Sequence, residues 1–244
     1  MMCSDSHLEG PLAQLLREDS TQLAPIHVAE MDPRRAPSSA ALFPEEAQAI
    51  ASAVESRRQQ FTAGRLLARR AWQELGVSPV ALLNDEQRVP RWPAGLVGSI
   101  THTHGWCAAA VARAAHFDAL GTDVEAATPL DAALWERICR PEERQLLEGQ
   151  AEPRAGLVAK AFFSAKESIY KALYPRVRVF LDFQAMRIEL ASGAAQGLSH
   201  WQAELQVPWG PFRPGQRFGP GRLGIDAEWI VTSIALPSGF LSAG

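Results

Sequence analysis

Apolar residues recur at helical spacing from Pro44 to Leu75, where Phe61, Ala68, Trp72 and Leu75 follow a first turn opened by Pro44, Glu45 and Glu46, and Gly76 supplies the stop. That rhythm is lost from Asn84 to Gly95, a stretch whose Pro90, Pro93 and Gly95 predict a loop. Leu96 to Ile100 then reads as a strand leading into Thr101 and His102. Ala108 to Ala114 fits a second strand or a short helix, because alanine-rich runs do not discriminate between them. Leu120 to Glu125 is predicted as a strand, Leu130 to about Leu147 as a helix opened by Asp131, and Ala155 to Tyr174 as a helix stopped by Pro175. Met186 to Leu190 and Trp201 to Val207 alternate like strands, a glycine- and proline-rich loop spans Pro208 to Gly224, and Ile225 to Leu236 closes the chain as a last strand. Strands and helices are interspersed without a regular βαβ repeat, which predicts an α+β fold rather than a doubly wound sheet. A division between Ala115 and Leu120 gives two similar halves, an N-terminal lobe over 1–118 and a C-terminal lobe over 119–244, and Gly224–Glu228 faintly repeats Gly121–Glu125.

Two segments carry chemistry. A helix advances about 100° per residue, so Lys160, Ser164, Glu167 and Lys171 share one stripe of the Ala155–Tyr174 helix while Phe162, Ile169 and Leu173 share the opposite, buried one. In the strand Leu120–Glu125, alternation aims the carboxylates of Asp123 and Glu125 the same way, and two hard oxygen ligands on one face suit Mg²⁺.

The chain has 244 residues, 47% of them apolar, enough for a substantial core in one large domain or two small ones. A net charge of −3 argues against wholesale binding to nucleic acid or to an anionic membrane, so any anion site is local. Cys3, Cys107 and Cys139 form no Cys-x-x-Cys pair and fit a reducing compartment. Residues 1–30 carry Asp5, Glu9, Glu18 and Asp19 and do not read as a secretory signal, and no apolar run approaches the ~18 residues of a membrane span, so the cytoplasm is the expected location. His102 and His104 share a strand face but have no third metal ligand nearby; His104 is expected to face solvent. Asp226 and Glu228 are read as a solvated strand edge, Arg69 and Arg70 as a solvated helix face, and Phe61, Trp72 and Trp92 as core.

Thr101-His102 after a Gly-Ser strand, Gly121-x-Asp123-x-Glu125, and Ala165-Lys166-Glu167-Ser168-x-x-Lys171 stand in an order shared with a known family, as do Arg57-Arg58-x-x-Phe61-x-x-Gly64-Arg65 and Pro90-Arg91-Trp92-Pro93-x-Gly95. The chain resembles the monomeric, two-lobed 4′-phosphopantetheinyl transferases of siderophore, nonribosomal peptide and polyketide pathways. The resemblance implies a pseudo-twofold pair of α+β lobes with coenzyme A between them. It also implies transfer of the phosphopantetheine arm to a serine of an apo acyl or peptidyl carrier protein, with release of adenosine 3′,5′-bisphosphate.

It further implies that Asp123, Glu125 and Glu167 hold Mg²⁺ on the pyrophosphate, that Glu167 activates the serine directly or through water, and that Lys171 faces the pyrophosphate or leaving group. His102, protonated or hydrogen-bonding, joins them in stabilising charge on the phosphoryl oxygens. Lys171, one turn from Glu167, is expected to lower its pKa and keep it ionised. The phosphates of coenzyme A are expected to meet Arg57 or Arg58, Arg65, and Arg88 or Arg91, with Gln87 competing for the register at Arg88. Thr101 supplies a hydroxyl to the same site, and Lys166 is expected to pack its stem while its tip reaches the phosphates. Thr122 stands where an aliphatic residue is usual. Two other readings fit the same residues: a coenzyme A- or carrier-binding module without turnover, and a Mg²⁺-dependent phosphohydrolase using Asp123 and Glu125.

Overall fold

The computed structural model describes residues 10–17, 25–191 and 197–242. Cys3 and the acidic residues Asp5, Glu9, Glu18 and Asp19 lie outside them. In chain order the elements are α1 (Pro11–Arg17), β1 (His27–Met31), α2 (Pro44–Ala49), α3 (Glu55–Gln73), β2 (Leu96–Thr103), β3 (Trp106–Arg113), β4 (Phe117–Ala126), α4 (Trp135–Ile138), α5 (Pro141–Leu147), α6 (Arg154–Val177), β5 (Met186–Leu190), β6 (Gly197–Leu205), β7 (Arg217–Ile225) and β8 (Trp229–Pro237).

The strands form two antiparallel sheets, one of three strands in the order β1-β3-β2 and one of five in the order β4-β8-β7-β6-β5. Helix α3 covers the first and α6 the second, each over its own apolar cluster, which is the expected α+β architecture. The edge strands β2 and β4 meet between the sheets. An exposed edge leaves unpaired backbone N–H groups, and here two of them are met by hydroxyls: Thr122 N–H donates to Ser99 Oγ at 3.0 Å and Val124 N–H to Thr101 Oγ1 at 3.2 Å. Gly121 brings α6 down onto β4. A Cβ there would stand 1.9 Å from the Ser168 carbonyl oxygen, so only glycine lets the helix lie close enough to reach the strand's polar residues.

Several elements differ from expectation. The Pro44–Leu75 pattern is broken into α2 and α3, whereas the alanine-rich run from Ala108, which fitted either strand or helix, lies in the central strand β3, buried on both faces. The stretch Leu130–Leu147 is two short helices, and α6 runs through Pro175 to Val177, because a proline in the last turn forfeits only one helical hydrogen bond. The last part of the expected loop Pro208–Gly224 is strand β7, in which Gly221 is required by packing: a Cβ there would stand 2.2 Å from the indole of the buried Trp201. Asp226 and Glu228 are exposed as expected, but in the β7–β8 turn, where Asp226 Oδ1 accepts the N–H groups of Glu228 and Trp229, each at 2.7 Å. They therefore do not repeat the geometry of Asp123 and Glu125.

Candidate active site

Strand β4 and helix α6 bring the chemical residues together. Asp123 is buried; its Oδ1 accepts from Lys171 Nζ at 2.6 Å and from Thr101 Oγ1 at 3.3 Å, and its Oδ2 from Ser164 Oγ at 2.8 Å. Behind Ser164 stand Thr232 Oγ1 at 2.9 Å and, beyond it, Ser168 Oγ at 2.8 Å. Since a carboxylate only accepts, Ser164 donates to Asp123 and must receive from Thr232, so the hydroxyl dipoles line up toward the acid. Ser164 and Lys171 share a face of α6 with Glu167, which is the stripe the periodicity predicted.

The acids around Asp123 hold their protons more tightly than usual. Burial and then the Asp123 charge push Glu125 up to about 7, with Lys160 and Lys171 only partly offsetting them. Glu167 is likewise raised, chiefly by burial, with Lys171 opposing. The expected lowering by Lys171 is thus outweighed: its ammonium lies on Asp123 and on the Thr122 carbonyl at 3.3 Å, while Glu167 is removed from water. Hard oxygens that repel one another and are poorly hydrated are the donor chemistry that suits Mg²⁺. Yet among the described residues no three acidic, histidine or cysteine side chains are gathered closely enough to hold an ion unaided.

Beside these groups lies a cavity of about 370 Å³. Its cations are Arg57, Arg65, Arg88 and Lys171, and its apolar walls include Phe61, Trp92, Tyr170 and Tyr174. A Cβ on Gly98 would stand 2.6 Å from the Trp92 ring, so this glycine admits the indole to the wall. His102 also lines the cavity, and Arg57 donates to its Nε2 at 3.2 Å. A guanidinium has no acceptor, so Nε2 carries the lone pair and the proton sits on Nδ1. Burial, Arg57 and Lys171 all push the His102 pKa down, which selects the neutral, hydrogen-bonding form. Glu167 opens instead onto a smaller groove with Phe180 and Met186, and Tyr170 borders both spaces.

Several sequence-level assignments need correction. Lys166 does not reach the cavity: it is buried beside the smaller groove that Glu167 lines, donating at 2.7 Å to both Glu143 Oε2 and the Ile138 carbonyl, because a buried ammonium takes the nearest carboxylate. Thr101 is buried under Asp123 and lies outside the cavity lining. Arg58 pairs with Glu55 and Arg57 lines the cavity in its place; of the two exposed arginines Arg88 and Arg91, only Arg88 lines it. Arg65 reaches the cavity but is held there: Nε donates to Leu82 O at 2.8 Å, Nη2 to Asn84 Oδ1 at 2.6 Å, and the guanidinium lies 3.9 Å from the Phe61 ring centroid. Phe61 and Trp92 are walls of the cavity as well as core, while Trp72 is fully buried. Arg69 is buried against Glu46 at 2.7 Å; Arg70 is exposed as expected. Ser164, Thr232, Asn84 and Tyr170 were not singled out as site residues, and only Ser164 and Tyr170 carried a signal, their places on α6 beside Glu167.

The sequence is similar to known proteins along most of its length. Residues 45–112 match the model of the 4′-phosphopantetheinyl transferase N-terminal domain, and 119–212 that of the 4′-phosphopantetheinyl transferase superfamily. The 4′-phosphopantetheinyl transferase Svp of Streptomyces mobaraensis is 41% identical over 198 residues, covering 80% of this chain and 78% of that protein. The 4′-phosphopantetheinyl transferase Npt of Nocardia iowensis is 36% identical over 198 residues, 80% of this chain and 86% of its own. Enterobactin synthase component D of Escherichia coli (strain K12) is 31% identical over 162 residues, 65% and 76% of the two chains. With both halves matched by family models and such relatives aligned along four-fifths of its length, the chain belongs to the 4′-phosphopantetheinyl transferase superfamily.

Proposed function

We propose that this protein moves the 4′-phosphopantetheine arm of coenzyme A onto a serine of an apo acyl or peptidyl carrier protein, acting as a cytoplasmic monomer of two lobes divided near residue 118. One observation carries the reading. Asp123 from β4 meets Lys171 from α6, with Glu167 one helical turn before it, beside a cavity whose cations and aromatic walls suit a nucleotide bearing several phosphates.

In the transfer, the serine hydroxyl oxygen attacks the pantetheine-side phosphorus of the pyrophosphate. A new O–P bond forms, the bridging P–O bond breaks, and adenosine 3′,5′-bisphosphate leaves with the bridging oxygen. Glu167, made more basic by burial, takes the serine proton directly or through water. Lys171 and neutral His102 stabilise charge on the phosphoryl and leaving oxygens, and Arg57, Arg65 and Arg88 hold the phosphates. Asp123, Glu125 and Glu167 would hold Mg²⁺ only together with oxygens of the bound pyrophosphate, and the ion would supply positive charge there. Ser164 and Thr101 keep the Asp123 carboxylate turned toward the site. Because Glu167 faces its own groove across Tyr170 from the cavity, coenzyme A and the carrier approach from opposite sides of that ring.

The test is incubation with coenzyme A, Mg²⁺ and a panel of apo-carriers, followed by mass analysis. The expected result is a carrier heavier by one phosphopantetheine together with adenosine 3′,5′-bisphosphate. Binding of coenzyme A without a modified carrier identifies a module without turnover, and free phosphopantetheine formed without carrier identifies a phosphohydrolase; either overturns the proposal.

A further inference from the structure

Among the described residues, two that are not glycine adopt the left-handed backbone, Arg88 (φ 65°) and Arg178 (φ 60°). Glycine suits that conformation better. What glycine lacks is a guanidinium, and both guanidinia lie beside the same turn. Arg88 lines the cavity, and no hydrogen bond or ion pair among the described residues engages its side chain. Its position is set by the turn around Asp85: Arg88 N–H donates to Asp85 O, and Asp85 Oδ1 accepts the N–H groups of Gln87 and Val89, all at 2.9 Å.

The other carboxylate oxygen of Asp85 faces the C-terminal half. Arg178 caps α6 with its N–H on Tyr174 O, steadies its side chain with Nε on Pro175 O at 2.7 Å, and donates from Nη1 to Asp85 Oδ2 at 2.5 Å and Gln87 Oε1 at 3.3 Å. Tyr174 and Pro175 themselves line the cavity. Arg178 therefore ties the end of the helix that carries Glu167 and Lys171 to the turn that carries Arg88. The pair is partly solvated, with side-chain exposures of 37% and 15%, a setting in which ion pairs add little to stability while still fixing geometry.

We infer that Arg178 is a positioning residue: it latches the Asp85–Val89 turn across the seam between the sheets and so places the Arg88 charge for coenzyme A. The inference rests on reading the cavity as the coenzyme A site. Isothermal titration of coenzyme A into the wild-type protein, Arg178→Ala, Arg88→Ala and the double variant tests it. Arg178→Ala is expected to weaken binding about three- to tenfold, and the double variant to bind no more weakly than Arg88→Ala, since the latch acts only through that residue. The melting temperature of Arg178→Ala should stay at the wild-type value, since the pair is partly solvated. Unchanged binding in Arg178→Ala, or losses that multiply in the double variant, would overturn the latch and leave the cavity assignment standing. A wild-type protein that does not bind coenzyme A removes both.

Discussion

Replacing Lys166 by Met separates a residue that works on the substrate from one that works on the fold. The ammonium is buried with the Glu143 carboxylate, at side-chain exposures of 2% and 1%, and burial lowers its pKa against the opposing pull of Glu143. Glu143 also accepts the Arg140 N–H at 2.8 Å and the Ile188 N–H at 2.7 Å, so it joins α5, α6 and β5. Lys166→Met leaves that carboxylate buried without its cation and strands the Ile138 carbonyl. Removing one member of a buried pair costs about 3–5 kcal/mol, and at about 2–4 °C per kcal/mol for a chain of this size the melting temperature should fall by roughly 6–20 °C. Adding Glu143→Gln should recover part of the loss, because the amide keeps an acceptor for one N–H and no charge is left unpaired. Calorimetry reads the stability, and titration of coenzyme A into the folded variant should give wild-type affinity. A variant of unchanged stability that binds coenzyme A weakly would refute the reasoning and return Lys166 to the phosphates.

Glu167→Gln should slow transfer by about 10²–10⁴ while leaving the coenzyme A dissociation constant near wild type; a normal rate in single-turnover assays would remove Glu167 from proton transfer. Asp123→Asn should reduce transfer at least a hundredfold, since it breaks the charge contact with Lys171 and the hydroxyl chain at Ser164, whereas Asp226→Ala, in an exposed turn, should be silent; equal losses would mean that the wrong carboxylate is placed in the site. Glu125 gives a pH signature. Its folded pKa of about 7 lies above the ordinary 4.5, so its favourable contribution is complete below the lower value and is lost as pH rises through the higher one. Glu125→Gln should accordingly stabilise the metal-free protein, by more at pH 8.5 than at pH 5, and urea melts giving the same gain at both would contradict a partly buried, repelled carboxylate.

Local pattern determined more of this protein than long-range contact did, up to a point that particular residues mark. Helix α6, strand β4 and the inward aim of Asp123, Ser164, Glu167 and Lys171 follow from periods of 3.6 and 2, which are properties of a single segment. Strand β7 is not legible, because a strand dense in glycine is defined by its partners; Gly221 belongs to a strand only because Trp201 lies over it. The same limit governs the charges. Sequence could propose arginines and lysines for the phosphates, but it could not tell that Glu143 would capture Lys166, that Glu55 would draw off Arg58, or that the turn at Asp85 would set Arg88 at the rim of the cavity. A cation's role depends on the nearest anion in space and on how much water it has lost. Both quantities exist only once the two sheets have come together and α6 has been drawn onto β4 at Gly121.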